Sequence, residues 1–99
     1  MITYEVTAAV RDDLRGRYEV YMRERHIPDV LQTGLFLGAQ LLRTDDGRYR
    51  TRYDLEDQAQ LERYLTTHAP RLRADVVAHF PDGLEFTREV WTGLMRWPH

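Results

Sequence analysis

The stretch HIPDVLQTGLF, residues 26–36, lies between a helical pattern and a strand pattern. A proline disfavours helical geometry in the residue before it, so the first helix is predicted to end near His26. Pro28 can then begin a short second helix, with Asp29 in its first turn. Gly34 is predicted to end this short helix, because glycine commonly follows the last residue of a helix. The stretch is therefore predicted to end one helix, form a short second one and lead into a strand.

Working outward, two kinds of hydrophobic period alternate along the chain. Period two predicts strands over residues 2–10, 49–55 and 84–91, and a strongly apolar run predicts a strand over residues 35–44. The segment Asp45-Asp46-Gly47-Arg48 predicts a hairpin turn between the second and third strands. Three- and four-residue spacing predicts a helix from Leu14 to the stretch above. A second helical region begins at Glu56 or Asp57 and restarts at Pro70.

The resulting order is strand, helix, strand, strand, helix, strand. This order predicts one α+β domain over residues 1–99, with the ferredoxin-like β-α-β-β-α-β fold. In that fold, two helices cover one face of a four-stranded antiparallel sheet. Right-handed crossovers place the first and third strands in the centre of the sheet.

The strand patterns also predict which residues face away from the helices. A sheet face left bare by helices must be solvated or covered by another molecule. Either this face is solvent-exposed with cross-strand ion pairs, or two copies pack these faces together as a dimeric α/β barrel. The apolar second strand (Leu35, Leu37, Ala39, Leu41) favours the homodimer. The open face is predicted to carry Thr3, Glu5, Thr7, Arg50, Arg52, Glu85, Thr87, Glu89 and Trp91.

Composition excludes several classes of protein. The chain has no cysteine, so disulfides, thiolate metal sites and cysteine nucleophiles are absent, which suits a reducing cytoplasm. All 14 basic residues are arginines, and 16 acids give a formal charge of −2. This balance argues against nucleic-acid binding. No signal peptide and no apolar run long enough to span a membrane is present, so a cytoplasmic location is expected.

Several motifs together resemble a small bacterial family, domain of unknown function 4286. They are the start MITYEVT, the segments HIPDV and TGLF of the opening stretch, LLR at 41–43, LERYL at 61–65 and HAP at 68–70. The resemblance covers nearly the whole chain and implies the dimeric α/β-barrel fold. Relatives at that level include small monooxygenases, haem-degrading enzymes, chlorite dismutase-like proteins, lactone isomerases and stress-response proteins. No motif here matches their catalytic residues one by one, so the resemblance implies no activity.

His26 is the candidate catalytic residue, because an imidazole titrates near neutral pH and can act as acid or base. The structural alternative is a cap at the C-terminus of the first helix, which the pattern favours. Asp29 could orient the ring of His26, although a role at the start of the short helix is favoured.

The candidate ligand-binding residues are Tyr18, Arg43, Tyr53 and Arg88. The tyrosines either fill the core or form the wall of a pocket between sheet and helices. The two arginines could provide a cation for an anionic ligand. Arg88 interrupts an otherwise apolar strand face, and a buried arginine requires an acid, a carbonyl or a ligand beside it.

A metal site is not expected, because His26, His68, His79 and His99 lack the spacing of metal ligands. No phosphate-binding loop or nucleophile elbow is present, so no cofactor is expected. Three hypotheses follow. The first is a cytoplasmic homodimer that binds a small hydrophobic or aromatic molecule between sheet and helices. The second is a cofactor-independent monooxygenase or isomerase, with His26 as the acid–base group. The third is a structural or interaction module.

Overall fold

The computed structural model describes residues 1–98, which form four strands and four α-helical segments. The first strand leads through a single 3₁₀ turn into the first helical region, and a hairpin separates the two helical regions. The elements are β1 (Ile2–Val10), the 3₁₀ turn (Asp12–Leu14), α1 (Arg15–Tyr21), a π-helical turn (Met22–His26), α2 (Ile27–Leu31), β2 (Phe36–Arg43), β3 (Arg48–Leu55), α3 (Gln58–Thr67), α4 (Ala69–His79) and β4 (Leu84–Thr92). His99, the last of the four histidines considered above, lies outside the described residues.

The strands form one antiparallel sheet in the order β2-β3-β1-β4. The first and third strands are central, as predicted, so the α+β ferredoxin-like prediction is confirmed. The predicted break between the two later helices is also confirmed, with Pro70 in the first turn of α4. The side chain of Asp57 begins α3 by accepting a 3.0 Å hydrogen bond from the backbone N–H of Gln60.

A β-bulge changes the faces predicted for β2. Phe36 pairs with Leu55 and Gly38 with Asp54, so Leu37 is an extra residue between two successive pairs. After the bulge, Ala39 lies opposite Tyr53 and Leu41 lies opposite Thr51, both on the helix-covered face. The expectation that these two residues add apolar surface to the open face is therefore wrong. The open face of β2 instead carries Gln40 and Leu42, which are paired with Arg52 and Arg50.

The first helical region does not end at His26. Both His26 and Ile27 have helical backbone angles, and the N–H of Ile27 donates to the carbonyl of Met22, five residues earlier. This π-helical turn carries the chain past Pro28, whose ring has no N–H and obstructs a regular α-helix. The predicted break is wrong because a wider turn accommodates the proline without stopping the helix. The predicted stop after α2 is confirmed, since Gly34 has a φ of 77°.

The core lies between the sheet and the helices, and it is rich in tyrosine. Tyr4, Tyr53 and Tyr64 belong to one buried cluster, and Tyr18 and Tyr49 belong to a second. The helix-facing side of β4 differs from that of the other strands. Its Phe86 is only half-buried, while Arg88 and Val90 are exposed. The helices therefore leave this edge of the sheet uncovered.

Candidate functional site

His26 lies in the π-helical turn, with its ring stacked on Tyr21 at 5.9 Å between centroids. Its Nδ1 atom is buried and has no hydrogen-bond partner among residues 1–98. Burial lowers the pKa of His26 to about 4, although Asp75 and Asp29 act in the opposite direction. The ring is therefore neutral near pH 7. A neutral side chain inside a continuous helix is not a C-terminal cap, so that structural interpretation is wrong.

Tyr21 is held by an acid on α4. Its hydroxyl donates a 2.6 Å hydrogen bond to Oδ2 of Asp75, and Arg25 binds both oxygens of the same carboxylate at 3.0 and 2.9 Å. These bonds to Arg25 and Tyr21 lower the pKa of Asp75 to about 2. The ring of His79, on α4, lies 4.7 Å from the ring of Tyr21 and so contacts the same tyrosine as His26. Asp75 therefore fixes the tyrosine on which His26 stacks.

Arg88 lies on β4, opposite Val6 of the central strand. Its guanidinium is 5.4 Å from the centroid of the Phe86 ring. The side chain is exposed, so the expectation of a buried arginine is wrong, and its neighbour is an aromatic ring instead of an acid. Its charge acts with burial to lower the pKa of His26. Arg88 therefore lies on the helix side of the sheet, where its charge acts on His26.

Arg73 of α4 extends the same region. It donates a 3.0 Å hydrogen bond to the hydroxyl of Tyr4, which lies on β1 opposite Val90. Burial is the main cause that raises the pKa of Tyr64 to about 12, and the charges of Arg73 and Arg88 both oppose that rise. No carboxylate lies within 4 Å of either guanidinium in the part of the chain described. Arg73 and Arg88 are thus two arginines without an acidic partner in residues 1–98, and the charges of both act on Tyr64.

Arg43 lies on the other side of the first helical region. Its guanidinium is 3.0 Å from Oε2 of Glu19, which also accepts a hydrogen bond from the hydroxyl of Tyr49. Arg43 and Tyr49 border a surface cavity of about 300 Å³ that includes Arg48 and Arg50 of the open face. The sequence placed Arg43 and Arg88 as alternative cations for one pocket. The structure places them at opposite edges of the sheet.

Tyr18 and Tyr53 lie in the core between these two regions, each with 2% of its surface exposed. The rings of Tyr18 and Tyr49 are 5.1 Å apart, and Phe36 is 5.4 Å from Tyr53. Burial raises the pKa of both tyrosines above its ordinary value. Of the five candidates, Arg88 acts on His26 through its charge, and within residues 1–98 Arg43 pairs with Glu19 and not with another candidate. Tyr18 and Tyr53 are part of the core between the sheet and the helices.

Sequence reasoning missed Arg73 and Asp75. Both lie on α4, in a run of charged residues that has the composition of a solvated helix face. The spacing of Asp75 from Val76 and Leu72 indicates that it borders the buried stripe of α4. That signal places Asp75 near the first helical region, but it does not identify Tyr21 and Arg25 as its partners.

Other kinds of site are absent from the described residues. No group of three or more His, Asp or Glu side chains in residues 1–98 could hold a metal ion. Within the same residues, no helix is both long and apolar enough to cross a lipid bilayer.

The sheet order, the helices on one face and the open opposite face define an α+β protein with the ferredoxin-like fold. The chain belongs to the family described as Domain of unknown function (DUF4286), whose sequence model matches residues 1–92. The resemblance inferred from its motifs is thus confirmed. No curated protein matches the chain.

Solved structures share this fold at low sequence identity. The chain is similar to SnoaB, a cofactor-independent oxygenase from Streptomyces nogalater, with 16% identity, a TM-score of 0.80, and coverage of 99% of this chain and 97% of that one. It is similar to MhuD, solved with two manganese protoporphyrin IX molecules bound per active site, at 16% identity, a TM-score of 0.76 and full coverage of both chains. An antibiotic biosynthesis monooxygenase has 18% identity and a TM-score of 0.70, with coverage of 96% of this chain and 100% of that one. Identities this low show the fold alone.

Proposed function

We propose that this protein is a cytoplasmic homodimer that binds a small molecule with an apolar or aromatic body and a carboxylate, on the helix side of β1 and β4. The observation that carries the proposal is the buried, unpartnered Nδ1 of His26. Buried polar atoms in folded proteins almost always have a partner, so an unpaired one requires an explanation. A ligand would provide the missing partner if the side chains that cover this atom move aside on binding. π-helical turns such as the one that holds His26 frequently occur at functional sites.

The charges around His26 support an anionic group on the ligand. Arg73 and Arg88 have no carboxylate partner in residues 1–98, and a guanidinium binds a carboxylate through two parallel hydrogen bonds. The half-buried Phe86 and the exposed Val90 provide apolar surface beside them. An aromatic or acyl carboxylate therefore suits this region better than a neutral polar molecule.

The test is a thermal-shift screen with aromatic carboxylates, each paired with its uncharged primary amide. We expect the carboxylates to raise Tm in a concentration-dependent way and the amides to have little effect. The substitution Arg88→Ala should remove the shift. Arg43→Ala should leave it unchanged, since Arg43 is a similarly exposed arginine at the opposite edge of the sheet. Equal losses in the two variants, or no shift with any carboxylate, would contradict the proposed site.

A second candidate is a cofactor-independent oxygenase or isomerase that acts on such a ligand. It is supported by the fold shared with SnoaB and by the neutral state of His26, whose free nitrogen can accept a proton. The test is oxygen consumption or substrate isomerisation with any ligand found in the screen. Activity that is lost in His26→Asn while ligand binding persists would support catalysis. Binding without turnover would support a binding protein.

The homodimer is proposed from exposed apolar surface at the end of the chain. Trp91 is 51% exposed on the open face of the sheet, and Leu94, Met95 and Trp97 follow it at 89%, 75% and 72%. Large apolar side chains so close together on a surface indicate an interface. Sedimentation velocity at micromolar concentration should give the mass of a dimer. A monomer mass throughout that range would instead favour an interaction module that binds a different partner.

A further inference from the structure

The surface cavity beside the β2–β3 hairpin, called here the hairpin cavity, is strongly basic. Its volume is about 300 Å³, and it is lined by Thr7, Leu42, Arg43, Thr44, Arg48, Tyr49 and Arg50. Three of these side chains carry a positive charge, and no Asp or Glu of residues 1–98 borders the cavity. Like charges around one concave surface repel each other, and an anion placed between them converts that repulsion into attraction. The lining therefore indicates a site for an anion.

The acids nearest to two of these arginines hold them only loosely. The Nε atom of Arg48 lies 3.6 Å from Oδ1 of Asp46. The Nε atom of Arg50 lies 3.7 Å from Oε1 of Glu5. Both distances are longer than a hydrogen bond, and each guanidinium has five N–H donors. In the part of the chain described, both arginines therefore keep donors for a ligand.

The remaining polar groups of the lining are held in place before any ligand binds. The Oγ1 atom of Thr44 accepts a 3.0 Å hydrogen bond from the backbone N–H of Arg48, which fixes the hairpin turn. Nη1 of Arg43 donates a 3.0 Å hydrogen bond to Oε2 of Glu19. The hydroxyl of Tyr49 bonds to the same oxygen. A site that is already ordered loses less free energy on binding, so this arrangement favours a ligand.

We propose that the hairpin cavity binds a phosphate dianion, either free or as the monoester of a small molecule. A carboxylate has two oxygens, which a single guanidinium satisfies with two parallel hydrogen bonds. A phosphate group has at least three acceptor oxygens and nearly two charges, so several arginines can bind it at once. Thr7 lies opposite Arg50 on the neighbouring strand, and its hydroxyl can add a further donor. The volume is at the lower end for ligand sites, so any ester group is small.

The hairpin cavity is distinct from the proposed carboxylate site. Arg43 belongs to the edge strand β2, whereas Arg88 belongs to β4 at the opposite edge of the sheet. The cavity is also formed entirely within one copy of the chain. Trp91, from which the homodimer is proposed, lies opposite Thr3, while Thr7 lies four residues further along β1. The inference therefore rests on neither of the two earlier proposals.

Isothermal titration calorimetry with sodium phosphate and with phenyl phosphate, at constant ionic strength in a chloride buffer, tests the site. The substitutions Arg48→Ala and Arg50→Ala should each weaken binding by roughly tenfold or more, because each removes charged hydrogen-bond donors. Arg50→Lys should restore only part of the affinity, since an ammonium group lacks the planar fork of a guanidinium. The matched control is Arg63→Ala, which changes an exposed arginine of α3 and should bind like the parent.

The two anions distinguish the two sources of the phosphate group. Tighter binding of phenyl phosphate would support the site and identify a monoester, and equal affinities would support it with free phosphate as the ligand. Neither heat nor a shift in Tm with either anion would overturn the proposal. So would binding that Arg48→Ala and Arg50→Ala leave unchanged, or that Arg63→Ala weakens equally. Arg88→Ala should leave phosphate binding intact, which separates this site from the carboxylate site. Circular dichroism of each variant verifies that the fold is retained.

Discussion

The hydroxyl of Tyr21 donates a 2.6 Å hydrogen bond to Oδ2 of Asp75, which joins the first helical region to α4 across 54 residues of sequence. The same carboxylate binds Arg25 through two hydrogen bonds. Because Tyr21 also stacks on His26, this bond fixes the position of the candidate site as well as the packing of two helices.

The substitution Tyr21→Phe removes only the hydroxyl. It should lower the free energy of unfolding by about 1.5 to 3 kcal/mol, as expected for a hydrogen bond to a charged acceptor. Urea denaturation measures the change. The control is a double-mutant cycle with Asp75→Ala, because the effect of Tyr21→Phe should largely disappear when the acceptor is already absent. Full additivity of the two substitutions would show that the bond adds nothing to stability.

The lowered pKa of His26 predicts a pH dependence of stability. The folded protein holds His26 with a pKa of about 4, while an unfolded histidine titrates near 6.5, so the unfolded chain binds more protons between these values. Stability should therefore fall as the pH is lowered from about 6.5 to about 4, by roughly 3 kcal/mol at most. The loss from Asp75 begins lower, between its ordinary pKa and about 2, so the two windows are distinct.

Denaturation between pH 4 and pH 7, with and without His26→Phe, isolates this contribution. The variant should show a flatter profile over that range, because the phenyl ring does not titrate. Parallel profiles for the two proteins would mean that His26 titrates in the folded state as it does in the unfolded chain. A ligand carboxylate bound beside the ring would shift the parent profile and leave that of the variant unchanged.

Two glycines should respond to alanine with opposite signs. Gly47 in the β2–β3 turn has a φ of 87°, and a Cβ there would meet the guanidinium of Arg15, whose Nη2 bonds to the carbonyl of Asp46 at 2.7 Å. Gly47→Ala should therefore destabilise by about 1 to 2 kcal/mol. Gly16 lies in α1 with open space around it, so Gly16→Ala should stabilise by about 0.5 to 1 kcal/mol. Thermal unfolding of both variants, measured side by side, checks the signs. A stabilising Gly47→Ala would contradict the turn geometry.

The sequence was most informative about the sheet. Alternation in residues 2–10 and 49–55 predicted both buried faces, since period two leaves little freedom once one face is apolar. The bulge at Leu37 was not predictable, because an extra residue in an apolar run leaves no trace in the alternation. The π-helical turn was missed for a related reason. Proline rules for a regular helix predict a break at His26, and they do not describe a turn that is one residue wider.

The site was predictable only in part. His26 and Arg88 stood out as a polar residue at a junction and a charge on an apolar face, and both lie on the helix side of the sheet. Arg73 and Asp75 contact residues of elements that are far apart in sequence, and the composition of α4 does not reveal those contacts. The two tyrosines predicted as pocket walls instead fill the core. The sequence could not distinguish these roles, because a core tyrosine and a pocket-lining tyrosine occur at the same spacing along a helix or strand.

The wider turn at Met22–His26 has a consequence for how chains of this kind are aligned. A hydrogen bond that spans five residues encloses one residue more than the regular α-helical bond between the same turns. A relative that lacks this residue would have an ordinary helix here, with the side chains on both sides of the deletion pointing in the same directions as in this chain. A one-residue gap inside a helix, which alignment methods tend to avoid, would then be the correct placement. Whether such a gap falls before or after His26 would decide whether the relative keeps an imidazole at this position.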